Sequence, residues 1–250
     1  MPICPSLEMT VTPSTPLTPP SPAMGASTHS ATPTGARPRR VTDLPTRLYH
    51  ALLGLSFAGA YLSADSERWR SLHITLGYTM AALLVFRLLY GLFGPRPLRW
   101  SSMASRLRGV GPWLRAWSTP SRLNAAHWRQ GQNLLMLLTV AGLLACIAPL
   151  VLSGHASWNE WGGEGMTDVL EEVHEALGEG LLVLVGLHLA LLAVLGLSRG
   201  TPAVTPMLTG RVPGPGPDLV TSQRIGLALL MMAAAASGWI WAAWPGLPTF

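Results

Sequence analysis

Four histidines sit where solubility does not explain them. His50, His73, His174 and His188 each interrupt an apolar run, in RLYHALLGL, RSLHITLGYTM, LEEVHEALGEG and LVGLHLALL. A neutral imidazole offers one lone pair and one N–H, so in apolar surroundings it is either a ligand or a hydrogen-bonded core residue. Inside a bilayer such a group is costly, and its default reading is functional and interior-facing. His174 and His188 are fourteen residues apart, which on one helix is about 21 Å of rise and roughly 40° of rotation. Two ligands at two depths account for that interval. Arg87 follows His73 by the same fourteen residues.

The elements that must carry these residues are apolar and long. Of 250 residues, 49% are hydrophobic and 12% charged, and apolar stretches recur at 47–64, 71–93, 133–152, 173–197 and 225–244. Most approach the roughly 20 residues needed to cross about 30 Å of hydrocarbon. The reading is an all-α integral membrane protein: a four-helix transmembrane bundle plus a fifth, C-terminal transmembrane helix. The first span is short and is relieved by Gly54, Ser56 and Gly59. Asp43-Leu44-Pro45-Thr46 starts it, with proline in the first turn, where a missing N–H costs nothing.

The net charge of +5 comes from arginine alone, because the chain has no lysine. In a soluble protein that balance would suggest nucleic acid, but the placement argues against it. Arg37, Arg39, Arg40 and Arg47 precede the first span, and seven arginines fill the connection from 94 to 131. The connection from 153 to 171 carries Glu160, Glu164, Asp168 and Glu171 and no arginine. By the positive-inside rule the N-terminus and the 94–131 and 198–224 connections are cytoplasmic, while the 65–70 and 153–171 connections and the C-terminus face outward. A bacterial cytoplasmic (inner) membrane is expected, with the lipid bilayer as a partner and no nucleic acid.

This orientation sorts the four histidines by depth. His50 enters at the cytoplasmic end of its span and His73 at the outer end of the next, and the fourth span runs inward, placing His188 deeper than His174. Depth pairs His50 with His188 and His73 with His174, each joining two helices at one level, as bundles build cofactor sites. Zinc wants a tetrahedral set that two separate pairs do not supply. Iron already held by four porphyrin nitrogens needs only two axial imidazoles, so two haem b groups are the economical cofactors. Gly54 and Gly77, each four residues after a histidine, and Gly178 and Gly186 beside the other pair, suit a flat macrocycle, although glycine also serves helix packing. Arg87 is placed to clamp a haem propionate or, equally, to snorkel to the cytoplasmic interface.

The remaining candidates have plainer readings. Residues 1–40 are dense in Pro, Ser, Thr and Ala, and disorder is expected there; no signal peptide is read in them, and Met24 offers an alternative start. His29 falls in that tail. His127 reads as an interface residue, and His155 as an outer-loop residue beside a tryptophan and glutamates. Cys4 and Cys146 form no disulfide framework, and Cys146 reads as a packing residue. The 133–152 span carries no ionisable group and reads as a packing helix. The segment MASRLRGVGPWLRAW reads either as a basic amphipathic interfacial piece or as a solvated loop.

The segments DLPTRLYHALLGLSFAGAYL, ERWRSLHITLGYTMAALLVFRLLYGLFGPR and LEEVHEALGEGLLVLVGLHLALL resemble the bacterial cytochrome b561 family, which includes the cytochrome b subunits of nickel-iron hydrogenases. The resemblance covers about 41 to 211 and implies a four-helix core with His50, His73, His174 and His188 as axial ligands of two b haems. It further implies transmembrane electron transfer between the quinone pool and an outer-side redox partner, a c-type cytochrome or a hydrogenase. Two departures stand out. Gln132-Asn133-Leu134 replaces a His-Asn-Pro-like element common in the family, and the span 225–244 lies outside the shared core. Expected domains are therefore a tail (1–40), a dihaem domain (41–211), and a linker with an extra helix (212–250). The rivals are a stand-alone quinol oxidase using oxygen or superoxide, a histidine-based divalent-metal transporter, although the internal repeats typical of transporters are not evident, and a plain membrane anchor.

Overall fold

The computed structural model describes residues 37–116, 125–200, 203–214 and 216–243. Most of residues 1–40, with His29 and Cys4, therefore lies outside the described residues. The elements in order are β1 (Arg39–Arg40), α1 (Leu44–Ser63), α2 (Arg70–Phe93), α3 (Trp100–Leu107), α4 (Val110–Ala116), α5 (Ala125–Trp158), α6 (Glu164–Arg199), α7 (Thr205–Leu208), β2 (Arg211–Val212) and α8 (Ile225–Ala243). Among the described residues, three stretches are long and apolar enough to cross a membrane: Glu67–Phe93, His127–Trp158 and Glu164–Arg199. The apolar run of α8, Ile225–Ile240, is shorter. No more than a third of any of the three apolar windows is buried inside the protein. Leucines and valines on their outer faces, such as Val85, Leu152, Val183 and Leu189, are exposed, which suits a surface solvated by lipid tails.

The helices form two antiparallel pairs, α1 with α2 and α5 with α6, joined where α2 meets α5. An apolar cluster of Met80 and Leu84 from α2, Ile147 and Leu150 from α5 and Leu181 from α6 fills the centre. Helix α8 lies against α1 and α2, and its Met231 is buried with Tyr49 and Leu83. Trp239 donates its indole N–H to Thr79 Oγ1 at 2.9 Å, tying α8 to α2 near the other end.

Asp43 caps α1 and is fully buried. Its carboxylate accepts from the Thr46 backbone N–H at 3.3 Å, the Thr46 hydroxyl at 2.6 Å and the Tyr90 hydroxyl. A cap of this kind contributes about 1 kcal/mol, and the bond from Tyr90 also fixes the start of α1 against the end of α2. Beside it β1 pairs antiparallel with β2, Arg39 opposite Val212 and Arg40 opposite Arg211. The Arg40 N–H donates to Asp218 Oδ1 at 2.6 Å, and the Arg47 guanidinium donates to the carbonyls of Met207 and Leu208. The end of the expected tail thus pairs across the chain with residues following α6.

Two boundaries differ from the sequence expectation. Helices α5 and α6 run past the apolar stretches into the connection expected at 153–171, so His155 and most of the acidic residues there are helical. Ala, Leu and Glu are good helix formers whether or not lipid surrounds them. The break comes at Gly162 and Gly163, whose φ angles of 89° and 83° suit glycine. The basic segment after α2 is also helical rather than a plain loop. In α4, Trp113 stacks on His127 with ring centres 5.3 Å apart and donates its indole N–H to the His127 carbonyl at 3.1 Å. A side chain at Gly131 would occupy the place of that indole. His127 is therefore a packed residue at the start of the α5 span.

Candidate functional site

The structure brings the four histidines together in the two expected pairs. His50 on α1 faces His188 on α6, with ring centroids 6.2 Å apart and planes at 49°. His73 on α2 faces His174 on α6 at 5.9 Å and 76°. With metal–imidazole bonds of about 2.0 Å and about 1.1 Å from ring centre to nitrogen, two axial imidazoles on one iron have centroids about 6 Å apart. Both pairs match that spacing. Among the described residues no group of three or more His, Cys, Asp and Glu could hold a metal ion. The donor sets therefore suit an iron that brings its own equatorial nitrogens.

Hydrogen bonding fixes the pair formed by His73 and His174. His73 Nδ1 is 2.8 Å from the Ala60 carbonyl, and His174 Nδ1 is 2.8 Å from the Leu150 carbonyl. A carbonyl only accepts, so both Nδ1 atoms carry the proton and both Nε2 lone pairs are free for a ligand. A bond from the far ring nitrogen to a carbonyl sets tautomer and ring orientation at metal-binding histidines. Helix α5 contributes further through Gly154, where an added Cβ would lie 2.6 Å from His174 Cε1 and 2.7 Å from Nδ1. The imidazole occupies the space of that missing side chain. A cavity of about 780 Å³ opens beside the pair, lined by Ala60, His73, Gly77, Leu150, His174 and Gly178 among others.

In the pair formed by His50 and His188, one imidazole nitrogen has no hydrogen-bond partner in the protein, and two further polar side chains share that property. His188 Nδ1, Arg87 Nη1 and the Tyr49 hydroxyl are buried with no hydrogen-bond acceptor or donor opposite them. Arg87 lies over the Trp100 ring, with its guanidinium carbon 4.6 Å from the ring centre. Buried groups of this kind are normally satisfied, so this end of the bundle is built for something polar that the chain itself does not supply. Between the two levels, Met80 and Leu181, each seven residues beyond a histidine, lie in the central apolar cluster. Water is excluded from the interval separating the pairs.

The flanking glycines border open space. A Cβ at Gly54, Gly77 or Gly186 would meet nothing within 4 Å, and one at Gly178 would meet only Leu150 Cδ1 at 4.0 Å. Glycines that serve helix packing have a neighbour at that distance, as Gly59 has in Leu76. Gly54 and Gly77, each four residues after a histidine, instead leave room on the faces that carry His50 and His73, while Gly178 touches α5 and Gly186, two residues before His188, lies on another face of α6.

His155 also lines the cavity. Its Nδ1 is 2.7 Å from the Tyr78 hydroxyl, and its ring meets Trp161 edge-on at 5.2 Å. It shares that cavity with His73 and His174. Cys146 packs against the central apolar cluster, as read from its surroundings. In place of the family's usual element, Asn133 accepts from Arg199 at 2.7 Å and ties the start of α5 to the end of α6. Sequence reasoning missed the carbonyls of Ala60 and Leu150 and the roles of Gly154, Tyr49 and Trp100. Carbonyl groups have no sequence signature. Gly154, however, falls just past the span read as packing, in the connection expected at 153–171, and a glycine facing a histidine-bearing helix is a usable signal.

The family model for prokaryotic cytochrome b561 matches residues 41–210. No curated protein and no solved structure matches the chain. The matched region contains both histidine pairs and Arg87 and ends before α8. The chain belongs to the prokaryotic cytochrome b561 family, the transmembrane b-type cytochromes that bind haem b and transfer electrons.

Proposed function

We propose that the chain is a dihaem electron-transfer subunit of the bacterial inner membrane, carrying electrons between the quinone pool and an outer-side redox partner such as a c-type cytochrome or a hydrogenase. The observation that carries this reading is that one helix, α6, supplies one histidine to each of two facing pairs at two depths. His50 with His188, and His73 with His174, would hold the two haem irons. Bound between each pair, haem b would supply a one-electron iron couple at each level, so that electrons cross the bilayer in two stages.

The chain's own residues do the rest. Ala60 and Leu150 orient the outer imidazoles, Arg87 holds a propionate at the inner level, and Met80, Ile147 and Leu181 keep the interval dry. Four spans, α1, α2, α5 and α6, form the haem bundle within residues 41–211. Helix α8, in the segment 212–250, is a fifth span covering α1 and α2. The arginines between α2 and α5 place that connection and the N-terminus in the cytoplasm, leaving the start of α6 and the C-terminus outside.

Liposomes containing the protein and enclosing ferricyanide provide a test. An external membrane-impermeant reductant should reduce the enclosed ferricyanide, and His188→Ala and His73→Ala should each abolish the reaction. Transfer that survives both substitutions contradicts the two-level path.

A second reading, oxidation of quinol by the chain itself with oxygen or superoxide as acceptor, is favoured by the hydrogen-bonded Tyr78 and His155 lining the outer cavity. Quinol turnover by the purified protein without a redox partner would support it.

A further inference from the structure

The guanidinium of Arg87 has a purpose-built seat, and the seat is made by a residue outside the helix. Three contacts align α2 with α1: Ala60 with His73, Tyr49 with Phe86, whose ring centres are 6.1 Å apart, and Asp43 with Tyr90. They set Arg87 beside the part of α1 that carries Tyr49 and His50, at the level of the inner pair. An arginine two turns from the end of a membrane helix ordinarily snorkels to the interface, where water solvates its five donors. Here its Nη1 is instead buried without a protein partner.

Trp100, the first residue of α3, accounts for the difference. Its indole N–H donates to the Leu88 carbonyl at 3.0 Å, anchoring the ring to the residue after Arg87. Its ring lies beneath the guanidinium at 4.6 Å, within cation–π range. A Cβ at Gly91 would fall 2.0 Å from the indole nitrogen and 2.5 Å from two ring carbons, so the indole fills the space of a side chain one turn beyond Arg87. That is the direction in which Arg87 would otherwise extend toward the interface. The ring both attracts the cation and occupies its way out.

We propose that Trp100 is a positioning residue that holds the Arg87 guanidinium at the level of His50 and His188, as a fixed counter-charge for a carboxylate of the cofactor bound there. This rests on the reading of that pair as haem ligands. A planar guanidinium suits a carboxylate in two-point contact, and the orphaned Nη1 is the donor such a contact would use. A cation held in low dielectric beside an iron site disfavours the more positive, oxidised state, whereas one released to water is screened. Trp100 therefore raises the potential of the inner site and leaves the outer one unchanged.

Redox titration of the purified holoprotein tests this, with the inner component identified by its loss in His188→Ala. Trp100→Leu should shift the inner component toward the oxidised form by about tenfold, ~59 mV for a one-electron couple, leaving the outer component in place and two haems per chain. Trp100→Phe, which keeps the aromatic face, should retain most of the wild-type potential. Gly91→Ala, which displaces the indole without removing it, should shift the inner component in the same direction as Trp100→Leu and decides the matter if that variant loses haem. Arg87→Gln should produce at least the shift of Trp100→Leu, and combining the two should add nothing, because the ring acts only through the cation. Two haems with an inner potential unmoved by Trp100→Leu and Gly91→Ala, or additive effects of Trp100→Leu and Arg87→Gln, would overturn the proposal while leaving the ligand reading intact. A wild-type protein without an inner haem would overturn both.

Discussion

Replacing His188 with Ala is expected to halve the haem content, leaving one b haem per chain, held by His73 and His174. The expectation follows from how the pairs share helices. His188 faces His50 alone, about 21 Å along α6 from His174, and the buried cluster of Met80, Ile147 and Leu181 intervenes. Removing one imidazole leaves His50 as a single axial donor on an exposed face, which does not retain a low-spin bis-imidazole centre. The outer pair keeps its own anchors, the carbonyls of Ala60 and Leu150, and none of these touches His188. Pyridine haemochrome assay per mole of chain measures the outcome. Loss of the outer haem alone would mean that the pairing is crossed, and loss of both would mean that the sites fold as one.

The second large effect is expected at Gly154, a residue that binds nothing. Alanine there places a Cβ 2.6 Å from the His174 ring, closer than atoms in real structures approach. The ring can retreat only into the adjoining cavity, and only by giving up the bond from its Nδ1–H to the Leu150 carbonyl. Gly154→Ala must therefore rotate or push out the imidazole and spoil the aim of its Nε2. Disturbing the shell that orients a ligating histidine typically costs 10- to 100-fold in affinity, so the outer haem should be lost or exchange readily while the inner one stays. Gly142→Ala on the same helix is the control. Its Cβ would meet Leu184 at 3.6 Å, an ordinary contact, and both haems should remain. A Gly154→Ala protein with an unchanged outer spectrum would show that His174 is not held where the structure places it.

The helical architecture and the pairing of histidines were legible because both follow from periodic physical constraints. Hydrocarbon thickness sets span length, arginine bias sets direction, and 1.5 Å of rise per residue converts sequence intervals into depth. His50 and His188, 138 residues apart, meet for those reasons. What could not be read depends on contacts between helices that leave no periodic trace. The third long span appears inert in sequence, yet its Leu150 carbonyl and Gly154 build the seat of His174. Arg87 alone is ambiguous between clamp and snorkel, and the residue whose ring lies against it, Trp100, is thirteen positions on, in a segment whose amphipathic composition fits interface and loop alike. The start of α6 and the end of α5 differ from the sequence expectation for a related reason: helix propensity does not stop at the edge of hydrophobicity. The pairing of β1 with β2 involves only two residues on each strand, too few for any pattern to announce.

The most direct test of the central claim is the haem-to-chain ratio of the purified wild-type protein together with its reduced-minus-oxidised spectrum. Two haems per chain with the spectrum of bis-imidazole b haems are expected. A stably folded preparation with no haem, or with a single haem that survives both His73→Ala and His188→Ala, would contradict it.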